Sequence, residues 1–440
     1  MRLTLTLILA SLLLPAGLRA GQSKNTIGDP APQDPELVPS PTVIPPGVPQ
    51  AEEKLPAILR WMIHTRKRGM FINLPIIDTD PNRGTTIGVL PVWVIPQKEG
   101  DNIEQIYAPS ITYNKDFKVI PTFRSYYYPD SESSFLTRGS VSTVGEKEAL
   151  VYYQSRHFLA TWVDFSIRGQ YNVDGSNRFY GLGPASAKNA QSDYTEDVFQ
   201  YDLTAGIPLV PDTPWMIYGT NHFAGEKFYE GKLDSLPNTS DEFPGIFAAH
   251  RQQVNETRAV VQYDTRDSDV TTKRGGYLQA FYGWSVNSFS SAFDYTRAGF
   301  DGRYFLPWNN GWMTTASQLK YDQVLGNAPF WLQSRLGGKY SLRAYGDGRY
   351  IDRGAMFWQA EQRLTMFKVA TAGVMTEFEL APFAGVGTVF DSPGAMQRRY
   401  VRPVVGSAVR AVARPQVVGS VDVGVGQEGV SVFMDINYSF

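Results

Sequence analysis

The 440-residue chain contains no cysteine, and charged residues make up only 19% of it. Without cysteine there is no disulfide, no thiol chemistry, no cysteine-ligated zinc and no lipoprotein anchor. The 41 Lys and Arg residues nearly balance the 43 Asp and Glu residues, for a net charge of −2. This balance excludes a strongly basic nucleic-acid binder. No apolar run reaches the roughly 20 residues that a membrane-spanning helix needs, which excludes a helical membrane protein.

Aromatic residues and glycine are plentiful. Aromatics reach 13% of the chain, which also contains 40 glycines and 24 tyrosines. Few charges and many aromatics argue against disorder, and the glycine content argues against a helical bundle. The composition instead favours a β-rich protein with a surface that can face lipid.

The N-terminus has the features of an export signal. Residues 1–20 combine a basic start, a short apolar core and a small final residue, which is typical of a secretory signal peptide. Residues 21–56 form a proline-rich linker, which stays extended and builds no core. Within the next stretch we expect a short helix over 51–68. Residues 57–85 are then a pre-barrel segment or a first strand.

From about Phe71 onward, hydrophobicity alternates with a period of two, as in β-strands. Soluble sandwiches and membrane barrels both produce this alternation. The predicted strands run about ten residues, the length that crosses a bilayer when tilted. Their polar faces also contain charges, which suit a wet lumen (Asp164, Arg168, Glu361 and Arg363). The pattern therefore predicts an all-β, transmembrane antiparallel β-barrel over 86–440.

Turn signals mark 17 strands between residues 86 and 440. A closed barrel with both ends in the periplasm needs an even number. We expect 16 strands if one of those between 103 and 157 is false, or 18 if Phe71–Ile77 is an added strand. Even numbers of strands separate the long connections 172–194, 229–249 and 325–354, which places all three on the extracellular side.

Several segments resemble the barrel of the BamA/TamA-type outer-membrane assembly and transport superfamily, also called the bacterial surface antigen family. Arg178 to Gly183 is similar to its aromatic-glycine motif, in which Phe179, Tyr180, Gly181 and Gly183 are the matching positions. Asp264 to Asp267, with Arg274 to Gly276, is similar to its periplasmic turn. Leu336-Gly337-Gly338 and the motif Leu342-Arg343-Ala344-Tyr345 resemble its inward-folded extracellular loop. Phe383 to Gly387 and the final Phe440 also match in place.

The resemblance implies a loop lock between Arg343 and a carboxylate in the lumen. Glu361 shares the lumen-facing side of its predicted strand and is the expected partner. The chain departs from the family at two motif positions, Ala344 in place of glycine and Gly385 in place of a frequent aspartate. One acidic partner of Arg343 is therefore expected to be missing. The alternative is that Arg343 is a solvated loop residue.

The resemblance also implies that Tyr438 and Phe440 form a C-terminal signal for the barrel-assembly machinery, with both side chains facing lipid. The family's barrel-assembling members have periplasmic POTRA modules, and no such module fits before the first strand. The implied role is protein or lipid insertion or translocation at the bacterial outer membrane. The implied partners are outer-membrane lipid, the assembly machinery and a protein or lipid client, without nucleic acid. A passive pore and a surface antigen or structural barrel are the alternatives.

Other chemistry finds little support in the sequence. Gly424 to Gly429 matches a dinucleotide-binding glycine pattern, but a strand follows it instead of a helix, so a hairpin is expected. The four histidines lack metal-ligand spacing, and no nucleophile elbow is present. His157 and His222 could serve a barrel lipase, but positions in the lumen or at the interface are strongly favoured for them. We expect no enzyme activity, no cofactor and no metal, including at Asp264, Asp267 and Asp269.

Overall fold

The computed structural model describes residues 63–66, 69–96, 103–130, 132–268, 271–371, 374–413, 417–435, 438 and 440. The expected signal peptide (1–20) and linker (21–56) lie outside these residues and stay predictions. The described part is almost entirely β-structure. Its helices are single short turns, and none of them is long and apolar enough to cross a bilayer.

The chain forms 22 strands in the described residues, and all but two belong to one sheet. In chain order they are β1 (Ile63–Arg66), β2 (Gly69–Asp80), β3 (Gly84–Pro96), β4 (Ile103–Tyr107), β5 (Ser110–Asn114), β6 (Lys118–Tyr127), β7 (Ser133–Val141), β8 (Lys147–Ser155), β9 (Asp164–Phe179), β10 (Ser192–Pro208), β11 (Trp215–Glu230), β12 (Gln252–Asp264), β13 (Gly275–Ser285), β14 (Tyr295–Trp308), β15 (Met313–Gly326), β16 (Ser334–Leu336), β17 (Tyr350–Asp352), β18 (Gly354–Thr371), β19 (Val374–Phe390), β20 (Arg402–Ala413), β21 (Val417–Gly426) and β22 (Gly429–Asp435).

The sheet closes into an antiparallel barrel of 18 strands. β4 and β5 are two halves of one strand, because both pair with β3 and with β6. β1 pairs with β2, and β16 and β17 form a separate hairpin. The expectation of 16 strands is wrong, and the alternative of 18 is confirmed. The added strand is β2, which includes the candidate stretch 71–77.

The alternation of side chains separates the lumen from the outer surface. On β13, Leu278 and Tyr282 are about half exposed on the outside, whereas Gln279 on the other face is buried. The same holds on β9, where Ile167 and Tyr171 face outward while Asp164 is buried in the interior. Apolar side chains thus cover the surface that faces lipid, and polar side chains line the lumen.

The three long connections lie at the same end of the barrel, as expected. They follow β9, β11 and β15, strands that run in the same direction in the antiparallel order. Opposite this end, β22 runs back toward the periplasmic side. The predicted glycine-rich hairpin is also present, since Gly426 pairs with Gly429 between β21 and β22. The helix expected over 51–68 is wrong in its last part, because 63–66 is the strand β1.

The first and last barrel strands meet weakly. Among the described residues, the only ladder pair between β2 and β22 joins Thr79 to Val432. The Ile77 amide donates to the Met434 sulfur at 3.3 Å, and a thioether is a weak acceptor. At the periplasmic end of β2, the same edge pairs with β1. We call the contact between β2 and β22 the seam.

Candidate functional site: the inward loop and its charged lumen partners

The connection between β15 and β18, residues 327–353, folds into the lumen. Its hairpin β16–β17 brings Leu336 opposite Tyr350, and both side chains are buried. The tip follows as Leu342 to Tyr345, in which every residue is buried. We refer to residues 327–353 as the inward loop.

Arg343 lies at the centre of the site with its side chain 0% exposed. Its Nη1 is 2.7 Å from Asp422 Oδ2 on β21 and 3.2 Å from Glu361 Oε2 on β18. Nη2 donates to Gln359 Oε1 at 3.3 Å, and the guanidinium stacks 3.6 Å from the centroid of the Phe383 ring. The structure therefore brings together Arg343 and Glu361, the pair expected from the sequence, and the solvated alternative for Arg343 does not hold.

Asp422 is a partner that the sequence analysis missed. The second acid is expected at position 385 on β19, the strand next to Glu361 on β18, and that position is glycine. Asp422 lies on β21, three strands from β18. The alternation in β21 could have indicated this partner. Val421, Val423 and Val425 face outward, so Asp422 faces the lumen. The curvature of the barrel wall, which the sequence pattern does not reveal, brings Asp422 to Arg343.

Glu361 joins three arginines into one network. Arg410 on β20 donates to both carboxylate oxygens, at 2.8 and 3.0 Å, and Arg363 Nε donates to Oε1 at 2.6 Å. With Arg343 and Asp422, the cluster contains three guanidinium groups and two carboxylates, all buried. Charge-assisted hydrogen bonds in such a setting are strong, and removing one member leaves the others unpaired. We call these five residues the lumen cluster.

The chain's last residues turn toward the lumen cluster. The Tyr438 hydroxyl donates to Glu379 Oε2 at 2.8 Å, and the Arg363 guanidinium stacks 3.8 Å from the Tyr438 ring centroid. Arg363 Nη2 also donates to the Phe440 carbonyl oxygen at 2.9 Å. The expectation that Tyr438 faces lipid is therefore wrong, because lumen-side partners hold it. The role of Tyr438 and Phe440 as an assembly signal stays a prediction.

The aromatic-glycine motif packs onto the inward loop. The Gly183 amide donates to the Ile351 carbonyl at 2.7 Å, and the Arg349 guanidinium lies 4.3 Å from the Tyr180 ring centroid. Gly181 and Gly183 have φ values of +86° and +91°, in the region that favours glycine. Phe179 is buried in a cluster of aromatic side chains from several extracellular connections.

We call this cluster the aromatic cap. Its centre is Phe330, whose ring lies 5.2 Å from that of Phe179 and 5.4 Å from that of Phe228. The other members are Tyr194, Phe243, Phe247, Phe293 and Trp331. Large rings packed against one another exclude water, so the cap is an apolar contact that fixes the inward loop against β9, β10 and β11.

Ala344 and Tyr345 complete the loop motif against the last strands. The Ala344 carbonyl accepts from Ser431 Oγ at 3.1 Å. Burial raises the pKa of the Tyr345 hydroxyl, so it stays protonated. It can donate to the Pro403 carbonyl at 3.3 Å while accepting from the Gln427 amide at 3.1 Å. Gly424 lies directly beneath the loop, where a Cβ atom would overlap the Arg343 carbonyl oxygen.

The remaining candidates make contacts within the wall and its turns, apart from Asp269, which lies outside the described residues. Asp264 binds Arg266 at 2.7 Å, and the Asp267 carboxylate accepts backbone N–H groups of Lys273 and Arg274 in the same turn. His222 Nδ1 lies 2.6 Å from Asp202 on the neighbouring strand. In the part of the chain that the structure describes, no group of three acidic or histidine side chains is placed to hold a metal ion.

The comparison with protein families decides the identity of this barrel. The Omp85 superfamily domain matches residues 133–425, about two thirds of the chain. The chain belongs to the Omp85 superfamily. The matched region contains the aromatic-glycine motif, the inward loop and all five residues of the lumen cluster. No curated protein matches the sequence.

Solved outer-membrane barrels align with this chain at low sequence identity, and the first of them shows the same fold. BamA from Haemophilus ducreyi lacking POTRA domains 1-3 aligns with a TM-score of 0.50 and 12% identity, over 82% of this chain and 73% of that one. CdiB from Escherichia coli aligns with a TM-score of 0.48 and 10% identity, over 84% of this chain. CdiB from Acinetobacter baumannii gives 0.42 and 12%, over 83%. The chain spans 63% and 59% of the lengths of these two CdiB proteins.

Proposed function

We propose that this Omp85-superfamily barrel inserts or translocates protein or lipid at the bacterial outer membrane by opening its seam. The observation on which this rests is the single described ladder pair between β2 and β22. Strand edges that are released from pairing present rows of N–H and C=O groups that can pair with another chain. In lipid these groups must find partners, so an opened seam favours an incoming extended segment over bare hydrocarbon.

The loop inside the lumen supports this role over that of a passive pore. Arg343 of the inward loop binds Glu361 and Asp422 of the wall, and Phe330 and Trp331 of the same loop belong to the aromatic cap. Arg343, Glu361 and Arg410 are all buried, which leaves little room for water around them. A route along the seam needs no open lumen. The partners of this role are outer-membrane lipid, the assembly machinery that folds the barrel, and a protein or lipid client.

A reversible cross-link across the seam tests the proposal. The chain contains no cysteine, so Thr79→Cys with Val432→Cys introduces a single pair at the seam. The purified protein is placed in liposomes, and the rate at which an unfolded outer-membrane barrel folds into them is measured. We expect the protein to accelerate this insertion, oxidation to abolish the acceleration, and a reductant to restore it.

The matched control places the cross-link within the wall. Val409→Cys with Val421→Cys joins β20 to β21 at an ordinary ladder pair, and its oxidation should leave the acceleration unchanged. If the oxidised seam pair is as active as the reduced one, insertion does not use the seam. If the protein never accelerates insertion of the barrel, the insertion role for protein clients is wrong.

A further inference from the structure

One short stretch of the inward loop contacts both sides of the seam at its extracellular end. The stretch is residues 344–350, which follows Arg343 and ends at the start of β17. On one side of the seam lies the β2–β3 turn, residues 81–83. On the other side lies the β21–β22 turn, residues 427–428, with the first residues of β22. Because these two turns flank the seam, a segment that binds both of them spans it.

The contacts to the β21–β22 side are numerous. Arg349 donates to both carboxylate oxygens of Glu428, at distances of 2.6 to 2.9 Å, in a bidentate pair with Arg349 buried. Tyr345 accepts from the Gln427 amide at 3.1 Å, and Ser431 donates to the Ala344 carbonyl at 3.1 Å. This side of the seam is therefore held to the loop through both charged and neutral hydrogen bonds.

The contacts to the β2–β3 side converge on Asn82, which is 7% exposed. Its Nδ2 donates to the Asp347 carbonyl oxygen at 2.9 Å. The backbone of Gly346 lies in close contact with Asn82, since a Cβ atom at residue 346 would overlap Asn82 Oδ1. Farther down the wall, the Lys339 ammonium of the loop attracts the Asp78 carboxylate of β2. The loop thus reaches the first strand and its turn through a side-chain amide, a close backbone approach and a charge attraction.

We propose that residues 344–350 are a clasp that holds the extracellular end of the seam shut, with Asn82 and Glu428 as its two attachment points. Among the residues that the structure describes, direct strand pairing across the seam is one residue pair, whereas the clasp binds both flanking turns. Opening the seam then requires the loop to release at least one attachment point. The clasp refines the proposed function, but it concerns the resting barrel and can be tested without any client.

The test measures hydrogen exchange at the Ile77 amide, which faces the seam, in the purified resting barrel. Asn82→Ala removes the amide donor to Asp347, and Glu428→Gln removes the charge from the pair with Arg349. A hydrogen bond of this kind shifts an equilibrium by about three- to tenfold, and exchange through local opening follows the open fraction. Each variant should therefore speed exchange at Ile77 by about that factor and leave the amides of β10 and β11 unchanged.

Asn114→Ala is the matched control for Asn82→Ala. Asn114 is also a buried asparagine that braces the β2–β3 turn, through Nδ2 contacts to the Arg83 and Thr85 carbonyls and to Thr86 Oγ1. None of these three contacts involves the inward loop. If the clasp is correct, Asn114→Ala leaves exchange at Ile77 within about twofold of the parent, although it perturbs the same turn.

Two results would overturn the clasp. One is unchanged exchange at Ile77 in both Asn82→Ala and Glu428→Gln. The other is an equal rise in Asn114→Ala, which would mean that any distortion of the turn opens the seam. Should Asn82→Ala fail to fold, as shown by loss of protection in β10 and β11, Glu428→Gln alone decides. Because no client is present, these results stand whether or not the barrel inserts proteins.

Discussion

The seam and the opposite wall of this barrel are closed by different means. On the opposite wall, β10 pairs with β11 without interruption from Tyr194 to Pro208, and with β9 along nearly its whole length. At the seam, the described ladder shrinks to Thr79 and Val432. The wall is held by the backbone and needs no particular side chain. The seam is bridged by the inward loop, which binds Asn82 on one side and Glu428 on the other.

This difference makes the two regions respond differently to mutation. A backbone ladder tolerates the loss of one side chain, because its hydrogen bonds do not depend on residue type. A closure built from buried charges and one loop depends on each of its members. We therefore expect single substitutions to act strongly near the seam and weakly on the opposite wall. The predictions below compare the two regions, beginning with the largest expected effect.

Glu361→Ala should be the most damaging single change. It leaves three buried arginines with Asp422 as the remaining acid of the lumen cluster, and breaking a buried pair costs about 3–5 kcal/mol. The measurement is the free energy of unfolding in urea for the barrel in lipid vesicles. On the opposite wall, Gln200→Ala removes a hydrogen bond to Gln170 and should cost only about 1 kcal/mol. Equal losses for the two variants would contradict the comparison.

Asp422→Ala and Arg343→Ala should act as one unit. Each breaks the 2.7 Å pair and should cost about 2–4 kcal/mol, while the double variant should cost clearly less than the sum of the two. The double-mutant cycle is measured by urea unfolding. Gly385→Asp should not rescue Asp422→Ala, because a Cβ atom at 385 would already crowd Trp358, Gln359 and Val404. If the two losses in unfolding free energy were additive, or if Gly385→Asp fully rescued Asp422→Ala, Asp422 would not hold the loop through Arg343.

Gly424→Ala should have a smaller effect, about 1–3 kcal/mol, because the added methyl group overlaps the Arg343 carbonyl and pushes the loop away from β21. Gly219→Ala is its control on the opposite wall, where a Cβ atom would meet nothing within 4 Å. That variant should lie within about 0.5 kcal/mol of the parent. Protease cleavage within 327–353 should rise in Gly424→Ala alone. A rise in both variants, or in neither, would mean that the inward loop does not depend on the space left by Gly424.

The sequence predicted the barrel well because a lipid-facing strand shows its exposure in a period of two. It favoured 16 strands over 18 because β2 contains Pro75, Asp78 and Asp80, which weaken its apolar pattern. The strand predicted over 103–113 is present, although a break at Ala108 and Pro109 divides it into β4 and β5.

The sequence predicted a contact in the site only where alternation along one strand places the residue in the lumen. Glu361 was found because alternation along β18 places it in the lumen. Asp422 was not, since its meeting with Arg343 depends on the wall's curvature across β18 to β21. The inward turn of Tyr438 likewise depends on Arg363 and Glu379, which lie on two other strands. Contacts between distant strands leave no local pattern in the sequence.

Hydrogen–deuterium exchange of the resting barrel in lipid tests the central claim most directly. The claim is that the seam is the least stable line of the wall. The Ile77 amide of β2, which faces the seam, should exchange at least about tenfold faster than the amides of β10 and β11, because local opening costs less there. Glu361→Ala should raise the β2 rates further and leave β10 and β11 unchanged. Equal protection of β2 and β10 would contradict the account.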